Sequence, residues 1–310
     1  MNEFELIARL STALPSNASV IAGAGDDCAV LDSGQPGRAL LFKTDAVVEG
    51  IHFLPAAQPE SIGHKALARG LSDIAAMAGR PLAALVTLAL PNNFDPDFIA
   101  KIYAGMNLLA RRHGVAIVGG ETTSNPERLL ISVALLGDVA RDKCVLRSGA
   151  RDGDALFVTG DLGGSLAGKH LEFEPRLAEG RWLAEHFPIH AMIDLSDGLA
   201  GDLRHLMERS QVGAELLARS IPISRAARAQ ARTGTPPKPP LVAALTDGED
   251  YELLFAVAAR DAVPLADAWR KQIPKLRLGC IGKITAARGL KLRDAQGVRA
   301  LHDHGYLHFS

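Results

Sequence analysis

The chain has three cysteines in 310 residues, Cys28, Cys144 and Cys280, widely spaced and with no CxxC pair. That scarcity excludes a disulfide framework and a thiolate zinc site, and it reads as reduced thiols of a cytoplasmic protein. Neither sign of charge is in excess, since 34 Lys and Arg face 35 Asp and Glu for a formal net charge of -1. Without a basic field, neither nucleic acid nor an anionic membrane is an expected partner, and an anionic ligand has to be held by local devices. Long apolar runs are also missing. The run at 82–90 is bracketed by Pro81 and Pro91 and falls short of the roughly 20 residues of a membrane helix, so it reads as a buried strand. The N-terminal MNEFELIARL places Phe4, Ile7 and Leu10 at helical spacing among acidic residues, unlike the basic-then-apolar plan of an export signal. No GxGxxG opens a helix after the first strands and no internal repeat is present. A Ser-His-Asp or Cys-His triad cannot be read from spacing, because its members meet only in the fold.

A chain of 310 residues exceeds the size at which one core usually stops growing, so two domains are expected. Apolar runs at 39–42, 82–90, 115–118 and 129–136 read as buried strands, and 61–77 and 95–112 as helices, an α/β (α+β) pattern. The sequence turns polar and charged through GDVARDKCVLRSGARDGD at 137–154. There we place the junction between an N-terminal unit, 1–140, and a C-terminal unit, 141–310. Within the latter, 155–159 and 251–257 read as strands, and TGTPPKPP at 233–240 as an exposed loop, since prolines oppose regular structure.

The chemistry concentrates in carboxylates at the ends of apolar runs. Asp26 and Asp27 precede Ala29, Asp45 follows ALLFKT, Glu121 follows VAIVGG, Asp73 lies within ALARGLSDIAAMAG, and Asp194 and Asp197 belong to AMIDLSDGL. Acids beside buried segments are costly unless a cation neutralises them, and no basic partner is evident along the sequence. Singly, each acid has an ordinary reading as a helix cap, turn residue or surface group. Together, hard oxygen donors without a His/Cys cluster favour magnesium, which prefers a few carboxylates plus substrate phosphates, and magnesium of that kind implies a nucleotide. The glycine-rich GDLGGSLAGKH at 160–170 fits the first seven positions of a P-loop from Gly163 to Lys169. It fails at His170, where a serine or threonine hydroxyl is required. His52 either projects beside the acidic cluster as a ligand-binding group or is an ordinary loop histidine. Arg147, in LRSGA, is placed to clamp a phosphate through its planar fork or else lies on the surface.

Eight segments then occur in a telling order. They are GDDCAV at 25–30, TDAVVEGIHF at 44–53, KALARGLSDIAAMAG at 65–79, VGGETT at 118–123, RSGARDGD at 147–154, VTGDLGGSLAG at 158–168, MIDLSDGL at 192–199 and GEDYELLF at 248–255. Over nearly the whole chain this set resembles the thiamine-monophosphate kinases, a family in the superfamily of aminoimidazole ribonucleotide synthetase, selenophosphate synthetase and a hydrogenase-maturation protein. The resemblance implies a two-domain α/β protein that dimerises through its N-terminal sheets and holds ATP near that interface without a P-loop. The implied reaction is phosphorylation of thiamine monophosphate to thiamine diphosphate by direct in-line transfer, with no residue acting as general base.

By the same resemblance, Asp27, Thr44, Asp45, Asp73, Glu121 and Asp194 hold several magnesium ions around the ATP phosphates, with Asp197 as a further ligand. Gly120, Glu121, Arg147 and Ser196 contact the nucleotide, and His52, Glu249 and Tyr306 contact the thiamine phosphate. Two positions depart from the family pattern. A glycine-glycine-aspartate-threonine motif is GGETT here, with Glu121 one methylene longer, and Lys43 stands before Thr44 where a small hydroxyl residue is common. An ammonium only donates hydrogen bonds, so Lys43 cannot ligate a metal.

Overall fold

The computed structural model describes residues 3–234 and 237–302. After α1 (Glu3–Ser11), an N-terminal sheet forms from β1 (Val20–Ala22), β2 (Ala29–Asp32), β3 (Arg38–Val48), β4 (Arg80–Leu90), β5 (Ala116–Ser124) and β6 (Leu130–Ala140), in the order β1-β2-β3-β6-β4-β5. Its frame is the antiparallel pair β3 and β6, in register from Arg38 opposite Ala140 to Val48 opposite Leu130. Side chains alternate across these strands. Leu41, Val47, Val86 and Val133 are buried, while Phe42 and Leu85 are 49% and 48% exposed. The helices α2 (Pro59–Ala76) and α3 (Pro96–His113) accompany this sheet. Asp95 caps α3 by accepting the Asp97 N–H, and Gly114 closes it in a left-handed turn (φ 68°), as helix ends favour.

The two helices approach closely because glycines meet backbone. A Cβ on Gly63 would lie 1.8 Å from the Ile102 carbonyl oxygen, and one on Gly105 would lie 1.9 Å from that of Glu60. Nearly every residue of α2 from Ser61 to Ala76 is buried. The sequence explains this run of KALARGLSDIAA only if the helix is covered on all sides. It is: the second unit closes over it.

That unit carries the sheet β13-β12-β9-β11-β7-β10-β8, formed from β7 (Ala155–Thr159), β8 (Ile189–Asp194), β9 (Gly213–Leu217), β10 (Leu253–Val257), β11 (Leu278–Thr285), β12 (Gly289–Asp294) and β13 (Gly297–Ala300). All its pairings are antiparallel except that of β9 with β12. Its helices are α4 (Lys169–Glu172), α5 (Leu177–His186), α6 (Leu199–Ser210), α7 (Arg225–Thr233), α8 (Pro240–Thr246) and α9 (Ala262–Gln272). Elements α4, α5 and β8 pack on α2, so one helix of the first unit is the floor of the second. The strand expected at 251–257 begins only at Leu253, because Glu249 (φ 58°) and Tyr251 (φ 50°) are left-handed and cannot enter a ladder.

Candidate active site at the junction of the two units

Three elements distant in sequence deliver the candidate metal ligands to one place. Asp27 ahead of β2, Asp73 on α2 and Asp194 at the end of β8 are all buried, with carboxylate oxygens within 4.8 Å of one another. Ser72 donates its hydroxyl to Asp194 Oδ2 at 2.6 Å, fixing that carboxylate from the same turn of α2 that carries Asp73. Asp27 Oδ2 is buried with no hydrogen-bond partner. Burial and the neighbouring Asp27 push the Asp194 carboxyl up to about 7. Burial also drives Asp73 well above the ordinary carboxylate range, against the pull of Lys43. Three acids in a low-dielectric pocket repel one another and call for a cation. A hard oxygen donor set with an orphaned buried oxygen fits Mg2+.

The fold supplies basic partners that are not evident along the sequence. Arg147 reaches Asp27 Oδ1 with Nη2 at 2.6 Å, Lys43 Nζ lies 2.8 Å from Asp73 Oδ1, and Arg69 Nη2 lies 3.1 Å from Asp45 Oδ1. Arg147 is therefore no surface arginine. Each pair spans tens of residues, and no local pattern discloses it. Asp26, pushed up to about 6 by burial and by Asp27, accepts the Arg147 N–H at 3.1 Å and ties the linker into the site.

Asp197 lies next to this group on the turn into α6. Its N–H and that of Gly198 both donate to Asp202, at 3.1 and 3.0 Å. Asp202 is a buried residue missing from the expected set, although an acid in the first turn of a helix is a recognised capping signal. The Ser196 carbonyl accepts the Glu249 N–H at 2.7 Å, joining the candidate nucleotide segment to the candidate substrate segment.

A second cluster surrounds Lys65, which is fully buried on α2. Its ammonium donates to the His52 carbonyl at 2.6 Å, contacts His170 Nδ1 at 2.8 Å and pairs with Glu249. Burial pushes the Glu249 carboxyl up, but the His170 hydrogen bond and the Lys65 ammonium outweigh it and hold the group at about 2. The His52 ring accepts the Val48 N–H at 3.0 Å, which sets its orientation. His52 and His170 line an apolar cleft of about 480 Å³ with Ile51, Leu54 and Leu166. Lys65, Arg69 and Asp73 recur every fourth residue on α2, so one face of the helix serves both clusters. The spacing of these residues is visible in the sequence, but it does not disclose what the two cations pair with.

Thr44 and Glu121 do not join the triad. Thr44 shares its hydroxyl with Ser132 Oγ at 3.3 Å, on the sheet face opposite Lys43 and Asp45. Ala46, Ser132, Thr87 and Glu121 are successive register partners, which puts Glu121 on that same open face with two strands between it and β3. Gly120 packs against β4, where a Cβ would meet the Val86 carbonyl oxygen at 1.8 Å. Tyr306 lies outside the described residues. In the glycine-rich segment, the Gly163 N–H donates to Asp250 and that of Gly164 to Asp247. Those amides are committed to carboxylates and form no phosphate cradle.

The N-terminal domain model of AIR synthase related proteins matches residues 25–139. The thiamine-monophosphate kinase of Rhodopirellula baltica is 40% identical over 297 residues, covering 93% of this chain and 92% of that protein. The thiamine-monophosphate kinase of Bacillus subtilis is 33% identical over 335 residues, covering 100% of both. Among solved structures, AaThiL complexed with AMPPCP and TMP superposes with a TM-score of 0.84 at 31% identity, covering 99% of this chain and 97% of that one. With this identity sustained over at least 92% of each relative's length, the chain belongs to the thiamine-monophosphate kinase family.

Proposed function

We infer that the chain phosphorylates thiamine monophosphate to thiamine diphosphate at the expense of ATP. The observation that carries this reading is the buried Asp27, Asp73 and Asp194 triad, joined along one face of α2 to the Lys65 cluster beside the cleft lined by His52 and His170. The family relatives and the neighbour complexed with AMPPCP and TMP support the same pair of substrates.

Asp27, Asp73 and Asp194, with Asp45 and Asp197 alongside, would hold magnesium, which neutralises phosphate charge and aligns donor and acceptor when bound. Arg147 pairs with Asp27 and turns a planar fork toward the same pocket, suited to the nucleotide phosphates. His52 and Glu249, anchored together by Lys65, form the acceptor side. A phosphate acceptor is already ionised at neutral pH, so no residue has to remove a proton, and positioning supplies most of the acceleration. Thr44 and Glu121 line the open sheet face together with exposed Phe42 and Leu85. That face suits a homodimer contact, against which ATP would be held. The units divide at 140 and 141, the first binding ATP and metal and forming the dimer, in a cytoplasmic enzyme.

The test is to incubate purified protein with ATP, magnesium and thiamine monophosphate and to follow thiamine diphosphate by chromatography. Diphosphate formed from the monophosphate, and absent with free thiamine, is the expected result. No product despite ATP binding would overturn it.

A further inference from the structure

We propose that Lys43 acts as a tethered cation at the Asp73 side of the triad, so that this chain fills its site with fewer divalent ions than a neutral residue at that position would admit. This rests on the magnesium reading of the triad. Residue 43 stands on β3 between Leu41 and Asp45, and the alternation of the strand turns its side chain to the helix-covered face. The ammonium arrives from the sheet below and Asp73 from α2 above, meeting at 2.8 Å.

The groups facing Lys43 include Asp73 on α2, Asp45 on β3 itself, Asp194 at the end of β8 and Cys28 ahead of β2. With 25% of its side chain exposed, the cation is held against Asp73. A protonated amine has no lone pair for a metal.

Charge decides the consequence. With all three triad carboxylates ionised, as metal ligation requires, they face the Arg147 guanidinium at Asp27 and the Lys43 ammonium at Asp73, leaving one uncompensated negative charge for a divalent ion. A serine at position 43 leaves two and adds a hydroxyl oxygen donor. The substituted site therefore matches a further dication in charge and in ligand type, whereas in the native chain the lysine has already supplied part of that compensation.

The experiment compares the wild-type protein and Lys43→Ser by equilibrium dialysis against Mn2+ in the presence of AMPPCP, with bound metal counted by elemental analysis. The variant is expected to retain about one more Mn2+ per chain than wild type, and to gain more in melting temperature when Mg2+ is added. Equal counts and equal Mg2+ gains would overturn the role of Lys43 while leaving the magnesium site standing. A wild-type protein that retains no Mn2+ would overturn the metal reading itself. An independent measurement needs no variant: reductive methylation of wild type, read by peptide mass spectrometry, should leave Lys43 unmodified at saturating Mg2+. Methylation of Lys43 that rises with Mg2+ would mean that the ion expels the ammonium, contrary to the proposal.

Discussion

Glu249 shows how much one residue concentrates. Its backbone is left-handed (φ 58°), its N–H is tied to the Ser196 carbonyl, and its carboxylate is held at about 2 by His170 and Lys65 against burial. A carboxyl lowered from 4.5 to about 2 adds stability that is present above pH ~4.5 and is lost as pH falls through ~2. Glu249→Gln should therefore lower stability at pH 7 by roughly 3 kcal/mol. The gap to wild type should close on acidification from pH ~4.5 toward ~2, as read by chemical denaturation across pH. A gap independent of pH would refute the electrostatic account. At the triad, Asp73→Asn removes one metal ligand while keeping the shape of the side chain. Turnover should fall by at least about 10²-fold with the far-ultraviolet circular dichroism unchanged, and near-normal turnover would remove Asp73 from the metal site.

At the scale of elements, α2 is held by contacts that admit no side chain. Gly63→Ala or Gly105→Ala forces a methyl onto a backbone carbonyl of the partner helix, so each should cost about 2–4 kcal/mol in denaturant unfolding, mostly by separating α2 from α3. A neutral result would mean that the helices slide apart without penalty. How much of this was legible follows from the same elements. Apolar periodicity marked β4, α2 and α3 within two residues at each end, because each is a long segment with a sustained apolar pattern. It stopped short on β3, β5 and β6, at 42, 118 and 136 against Val48, Ser124 and Ala140, because those strands run on through polar residues or glycines. It located β7 at 155–159 as observed. It overran β10, because left-handed Glu249 and Tyr251 look like ordinary strand residues in a string of letters. Of the site, Asp27, Asp73 and Asp194 were legible as acids beside apolar runs. Their partners Lys43, Arg69 and Arg147 were not, since ion pairs 24 to 120 residues apart are made by the fold and leave no local mark. Asp202 and Lys65 hid for a related reason: a buried charge is indistinguishable from a solvated one until its cover is known.

At the scale of the molecule, the exposed Phe42 and Leu85 stand on a sheet face that no helix among the described residues covers, the face of the proposed dimer contact. Leu85→Lys should shift the protein to a monomer in sedimentation velocity, while its melting temperature at low concentration changes little. A monomeric wild type would refute the dimer. Magnesium should stabilise the whole chain as well, since binding to the folded form alone relieves repulsion among the triad. A Tm that rises with Mg2+ concentration is the expected result of calorimetry, and an unchanged Tm would deny the ion a place at the triad.

One further consequence lies in the rigidity of α2. Lys65, which anchors the acceptor side, and Asp73, which faces the metal side, are separated by eight residues of unbroken helix, a rise of about 12 Å. On these proposed roles the helix would work as a ruler, setting the gap between the two halves of the reaction by backbone pitch alone. A shorter or longer acceptor would then be rejected by length before its chemistry is consulted, and one residue inserted between positions 65 and 73 would rotate one mark of the gauge about 100° from the other.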